Sequence, residues 1–250
     1  MTLLKSFKPP LSSNALKIIG ALFMVCDHVG MLLFPDIRIL RMLGRVAFPI
    51  FAFLIAEGCR YTKNKLRYFL TVFLCGVVCQ LVYYFYGNSL EMCVFITFSL
   101  SILNIFSLQL FKNTLFSSKS LIRKFASAVP FAATLVVTWQ LNIIFDIDYG
   151  FFGCILPVFA ALLHSPKNAS VKFFKVMDKL PFCALMTAIG VLLLAFDRGG
   201  IQIYALMAIP LLLLYSGKRG RWRMKYFFYI FYPTHLVLIE FIGLIINYIK

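Results

Sequence analysis

The chain has 250 residues, of which 62% are hydrophobic and 14% charged, with a mean hydropathy of +0.90. A water-soluble domain runs at about 45–50% apolar and about 25% charged, so this composition excludes a soluble globule and implies a polytopic membrane protein. The formal charge of +16 would suggest nucleic acid in a soluble chain, but here the basic residues lie in short stretches between apolar runs of membrane-spanning length, and no nucleic-acid partner is expected.

At about 20 apolar residues per crossing, the chain reads as nine candidate helices: residues 15–34, 39–59, 68–86, 92–111, 125–145, 151–163, 180–196, 201–215 and 226–248. The sixth is short for a full crossing, so eight to ten is the expected range. The fold class is therefore all-α, a polytopic membrane helical bundle forming one integral-membrane domain over residues 1–250. No connection is long or periodic enough for a soluble domain of its own. Pro49, Pro130, Pro157, Pro210 and Pro233 fall inside these segments, and each is expected to free a carbonyl and kink its helix.

Loop charge alternates with the segments. All Lys and Arg except Arg38, Arg41, Arg45, Arg198 and Lys250 fall at the amino terminus or in stretches 60–67, 112–124, 167–179 and 218–225, which are every second connection. The intervening turns carry Asp36, Glu91, Asp146, Asp148 and Asp197. By the positive-inside rule this predicts a multi-pass membrane protein with a cytoplasmic amino terminus and an external carboxyl terminus. The basic loops are expected to meet anionic lipid head groups. The turns at Asp146–Gly150 and Asp197–Gly200 read as turn-forming sequence.

Chemistry concentrates between Lys17 and Arg60. Lys17, Asp27, His28, Arg45 and Glu57 lie inside or at the edge of two spanning helices, where a charge costs roughly 2.5–3.5 kcal/mol near the bilayer centre. Helix rise puts His28 and Arg45 at one level, about 10 Å below the outer surface. Lys17 precedes His28 by 11 residues, three turns along nearly the same face. An imidazole suits proton abstraction near neutral pH. Asp27 or another carboxylate would fix its tautomer, and Arg45 would hold a carbonyl or phosphate oxygen. In the plainer alternative, Asp27 and Arg45 form a structural pair and His28 hydrogen-bonds a backbone carbonyl. His235 beside Pro233 reads as structural when taken alone, and His164, bordering a basic loop, as solvated.

The seven cysteines read as small buried hydrophobes. Cys75 and Cys79 at i, i+4 make only half a metal site, so no metal is expected. No P-loop, Gly-x-Gly-x-x-Gly, His-Glu-x-x-His or Gly-x-Ser-x-Gly is present, which argues against an ATPase, a dinucleotide enzyme, a zinc protease and a serine hydrolase.

The stretches DHVGMLLFP, LRMLGRVAFPIFAFLIAEGCRYTKN, IQIYALMAIPLLLLYSGKRG and KYFFYIFYPTHLVLI resemble the TraX family of membrane proteins, in order and spacing over nearly the whole chain. TraX of conjugative plasmids is associated with acetylation of the pilin amino terminus. The family looks related to integral-membrane acyltransferases that use acetyl-CoA, whose first helix carries a basic residue, ten intervening residues and a His. Lys17 and His28 match that spacing.

The resemblance implies His28 as catalytic base, with Asp27 and Arg45 completing a buried catalytic site. It implies Lys17, Arg60, Lys218 and Arg219 at the entry of the CoA phosphates. Glu57, Tyr232 and His235 would line the substrate cavity. The expected partners are acetyl-CoA, an acceptor glycan or protein, and membrane lipids. The implied activity is acetyl transfer to an amine or hydroxyl. Two alternatives stay open on the residues alone: a proton-coupled transporter or flippase using the same Asp-His-Arg cluster, and a non-catalytic assembly factor.

Overall fold

The computed structural model describes residues 9–87, 90–167, 171–221, 224 and 227–249. Lys5, Lys8, Arg223, Lys225 and Tyr226, counted above among the basic stretches or the ninth segment, lie outside the described residues. The described residues are mainly helical, without a named strand among them. In order the elements are α1 (Ser13–Leu32), α2 (Arg38–Gly44), α3 (Ala47–Tyr61), α4 (Lys65–Gly87), α5 (Val94–Ser117), α6 (Leu121–Ile144), α7 (Gly150–Ala161), α8 (Lys172–Met177), α9 (Leu180–Arg198), a 3-10 segment (Gly200–Met207), α10 (Ala208–Leu213) and α11 (Phe227–Ile249). Among the described residues seven helices are long and apolar enough to cross a membrane, and Gly150–Ala161 and Gly200–Leu213 are shorter apolar ones. Bulky apolar side chains point outward, as with Ile122 and Phe125 of α6 and Leu244 of α11, which suits a lipid solvent. The protein is a polytopic membrane helical bundle.

The chain forms two compact units, residues 1–51 with 200–250, and residues 52–199. In the first, α1 packs against α2 and α11, and α2 against the 3-10 segment. α1 and α2 are antiparallel and close. A Cβ at Gly30 would lie 2.7 Å from Leu40 Cβ, and one at Gly44 would lie 2.3 Å from Asp27 Cβ. α1 and α11 run the same way, with Lys17 Nζ 5.5 Å from the Phe228 ring, His28 beside His235, and Leu33 beside Gly243.

In the second unit α5 packs against α4, α6 and α7, and α7 against α9. Small polar residues join these helices. Ser101 Oγ donates to the carbonyls of Thr97 and Cys154, and Asn104 donates to Thr138 Oγ1, each within 2.8–2.9 Å. Close helix approach and buried hydrogen bonds replace the hydrophobic drive that lipid removes.

The segments differ from the sequence expectation in four places. The second is broken at Arg45–Val46, because Pro49 cannot donate to the Arg45 carbonyl and its ring crowds that oxygen. In the eighth, residues Gly200–Met207 are 3-10 rather than α. The chain enters it through positive φ at Gly199 and Gly200 (66° and 56°), and Pro210 falls in the first turn of α10. The basic stretch 167–179 contains a short helix, α8, because Phe174 is buried against Lys112 and Phe116. Finally, His164 is 5% exposed rather than solvated, because the turn after α7 folds it against Glu57. Cys59, Cys79, Cys93, Cys154 and Cys183 are buried as expected, while Cys26 and Cys75 are partly so.

Candidate functional site

The first unit gathers most of the residues singled out in the sequence. Arg45 Nη2 reaches both Asp27 carboxylate oxygens, and Arg41 Nη1 donates to Oδ2 at 2.9 Å. Arg41 was not identified from sequence. Its signal was present in the i, i+4 spacing to Arg45, which puts both on one face of α2. Arg45 Nη1 also donates to Gln202 Oε1 at 3.4 Å. Gln202, likewise missed, is 4% exposed, and its Nε2 donor has no hydrogen-bond partner among the described residues. The lone amide in an otherwise apolar stretch was the available signal.

Asp27 and His28 are neighbours on α1 and point about 100° apart, so the carboxylate that serves the two arginines does not orient the imidazole. A backbone carbonyl does so instead. His28 Nδ1 lies 2.8 Å from Met24 O, four residues back, and donates its hydrogen there. His235 repeats the arrangement on α11, with Nδ1 3.0 Å from Phe231 O. Both rings are thereby assigned the Nδ1–H tautomer, which leaves Nε2 as the lone pair of each. His235 Nε2 sits 3.3 Å from His28 Nδ1, the ring centroids 5.0 Å apart and the planes at 78°. His235 is 5% exposed, stacked parallel on Phe231 at 5.1 Å and edge-on to the buried Tyr232 at 5.5 Å. The structure thus joins two histidines that lie 207 residues apart.

At the start of α1, Ser12 Oγ accepts from Ala15 N–H at 3.2 Å. The N–H groups of Ser13 and Asn14 donate to the carbonyls of Lys218 and Arg219, at 2.8 and 3.2 Å. Gly220 has φ +95°, and a Cβ there would meet Ser12 Oγ at 2.8 Å. Lys218 and Arg219 are exposed, and Lys17 follows Asn14 by one turn, so three cations collect at the start of α1, where their charge favours an anion although the first N–H groups are already engaged within the chain.

Glu57 and Arg60 belong to the second unit and make a separate cluster. Arg60 grips Asp178 with two nitrogens at 2.8 and 2.9 Å and lies 3.6 Å from Glu57. The guanidinium is thus engaged by carboxylates. Lys112 Nζ donates to Leu162 O at 2.7 Å and His164 O at 2.5 Å.

A family model described as "TraX protein" matches residues 12–243. The chain belongs to the TraX family. Among curated relatives, this TraX chain is 28% identical over 253 residues to a probable fimbrial assembly protein FimC, serogroup H1, of Dichelobacter nodosus, covering 91% of this chain and 94% of that protein. It is 34% identical over 68 residues to the uncharacterized protein RP591 of Rickettsia prowazekii (strain Madrid E), covering 27% of the TraX chain and 25% of the relative. No solved structure matches.

Proposed function

We propose that this TraX protein is an integral-membrane acetyltransferase of the bacterial inner membrane, moving an acetyl group from cytoplasmic acetyl-CoA to an amine or hydroxyl acceptor. A pilin-type amino terminus and an envelope sugar are the two acceptor classes. The observation that carries this reading is the pair of fixed tautomers: Met24 O holds the His28 hydrogen on Nδ1, so Nε2 presents a lone pair, and His235 Nε2 stands behind it. Membership of the TraX family and a relative named for fimbrial assembly support a pilin-related role.

In this reading His28 Nε2 takes the acceptor proton as the acceptor oxygen or nitrogen attacks the thioester carbonyl. The Met24 carbonyl, which accepts the His28 Nδ1 hydrogen, stabilises the resulting imidazolium, with the His235 lone pair as a second, longer acceptor of the same hydrogen. The carbon–sulfur bond then breaks, and His28 returns the proton to the leaving thiolate. Arg45 and the Gln202 Nε2 donor stabilise the transient oxyanion. Asp27 and Arg41 act on Arg45 and are positioning residues. Lys17, Lys218 and Arg219 receive the CoA phosphates. The amino terminus is cytoplasmic, following the basic loops.

The test is CoA-thiol release by purified protein in nanodiscs, supplied with acetyl-CoA and envelope extract, alongside mass spectrometry of surface proteins and glycans from cells with and without the gene. His28→Ala should abolish release and the acetyl mark, and His235→Ala should slow release with a shifted pH profile. A His28→Ala protein acetylating as fast as wild type refutes the proposal. Substrate flux in liposomes without acetyl-CoA or thioester loss would identify a transporter instead.

A further inference from the structure

The buried polar cluster of the second unit is not used by the reaction proposed above. His164 lies in the turn after α7, Asp178 caps the C-terminus of α8, and Cys183 sits in the first turns of α9. One ligand atom from each lies within 4.8 Å of the other two. Cys183 is 4% exposed and His164 5%. Glu57 Oε1 approaches from α3 to 3.5 Å of His164 Nε2, a distance typical of two ligands on one tetrahedral ion.

The imidazole carries the case. Both His164 nitrogens are buried, and neither forms a hydrogen bond among the described residues. A neutral imidazole has one donor and one acceptor, and each left dry costs about 1–3 kcal/mol. A neutral imidazole keeps the lone pair that a metal requires.

The other charges are already arranged around the vacant lone pairs. Arg60 and the Ser165 N–H, which donates to Asp178 Oδ2 at 2.9 Å, orient that carboxylate in the way supporting groups orient metal ligands. Lys112 is directed to two backbone carbonyls. Arg60 and Lys112 offset Glu57 and Asp178, so an incoming dication would be met by the thiolate that Cys183 becomes as its proton leaves to water.

The geometry points to a structural zinc-type site in which His164, Asp178, Cys183 and Glu57 bind one divalent ion. A mixed nitrogen, sulfur and oxygen set suits Zn²⁺ rather than Mg²⁺ or Ca²⁺, and four protein ligands make a closed site. The ion would tie the turn after α7 and the start of α9 to α3. The ligands are 107, 14 and 5 residues apart in sequence, a spacing that matches no metal motif.

The test uses the full chain purified in detergent without chelator, reloaded with Zn²⁺ and passed through gel filtration. About one zinc per chain is expected in wild type, with loss in His164→Ala and Cys183→Ser and retention in Cys59→Ser, a buried cysteine of the same unit outside the cluster. Co²⁺ in place of zinc should give a thiolate charge-transfer absorption that Cys183→Ser removes. Wild-type protein of normal elution volume that retains less than a tenth of an equivalent overturns the proposal, and so does bound Co²⁺ without the thiolate band. Neither outcome depends on a variant folding.

Discussion

Replacing Asp27 by Asn separates a holding role for this carboxylate from a chemical one. The side chains of Asp27 and Arg45 are each 12% exposed and that of Arg41 26%. At 2.9 Å the Arg41 ion pair alone corresponds to a gross attraction of about 6 kcal/mol at an effective dielectric of about 20. Much of that is cancelled by the desolvation of both ions, but removing one partner strands the other and costs about 3–5 kcal/mol. Arg41 can swing its guanidinium outward along its long stem, whereas Arg45 cannot without leaving Gln202. The lower end, about 3 kcal/mol, is therefore expected for Asp27→Asn. Adding Arg45→Met should return at least about 1 kcal/mol, because the double variant no longer buries an unpaired charge. The assay is chemical unfolding in mixed micelles for wild type, both single variants and the double variant, with acetyl transfer measured per folded molecule. If Asp27→Asn unfolds like wild type yet loses all activity, the carboxylate acts in the chemistry and the clasp described here is not its purpose.

Two further outcomes follow from the packing. Gly44→Ala places a Cβ 2.3 Å from Asp27 Cβ and 2.6 Å from its Cα, so α1 and α2 must part by about 1 Å at a cost of about 1–3 kcal/mol. Gly58→Ala meets only the hydroxyl end of Tyr68, which can move, and thermal melts should rank the first variant well below the second. Reporter fusions at the two ends should lie on opposite sides of the membrane, because α1 and α11 run parallel and an odd number of crossings is then required. Both reporters on one side would exclude that arrangement.

The number and order of the apolar segments were legible because lipid imposes a length that composition displays directly. Their interruptions were only half legible. Pro49 and Pro210 are visible, but whether a proline kinks a helix or converts its neighbourhood to 3-10 depends on the flanking Gly199–Gly200 turn and on packing. Within the site, Asp27, His28 and Arg45 stood out because charges in apolar runs are costly, and Lys17 because 11 residues restore a helical face. Gln202 was hidden by its neutrality. His164 misled for the opposite reason: a polar residue next to a basic loop looks solvated until Asp178 and Cys183 fold over it. Such convergence of distant segments leaves no local pattern.

The Asp-His dipeptide shows how adjacency in sequence misleads about contact within a helix. Adjacent helical residues diverge by about 100°, so one turn of α1 sends a carboxylate to α2 and an imidazole to α11. A sequence pairing of the two suggests a relay in which Asp27 orients His28, yet the helix makes that orientation unavailable and gives the task to the Met24 carbonyl. Arg45 completes the division. It stands at the break that Pro49 causes, where the chain leaves regular α2, and this lets one guanidinium contact both Asp27 and the Gln202 amide. The proline, read from sequence as a source of cavity-forming kinks, has a narrower consequence in the structure. It fixes where along the second crossing a cation can turn from its own helix to two others, and so joins the carboxylate clasp to the unpartnered Gln202 donor.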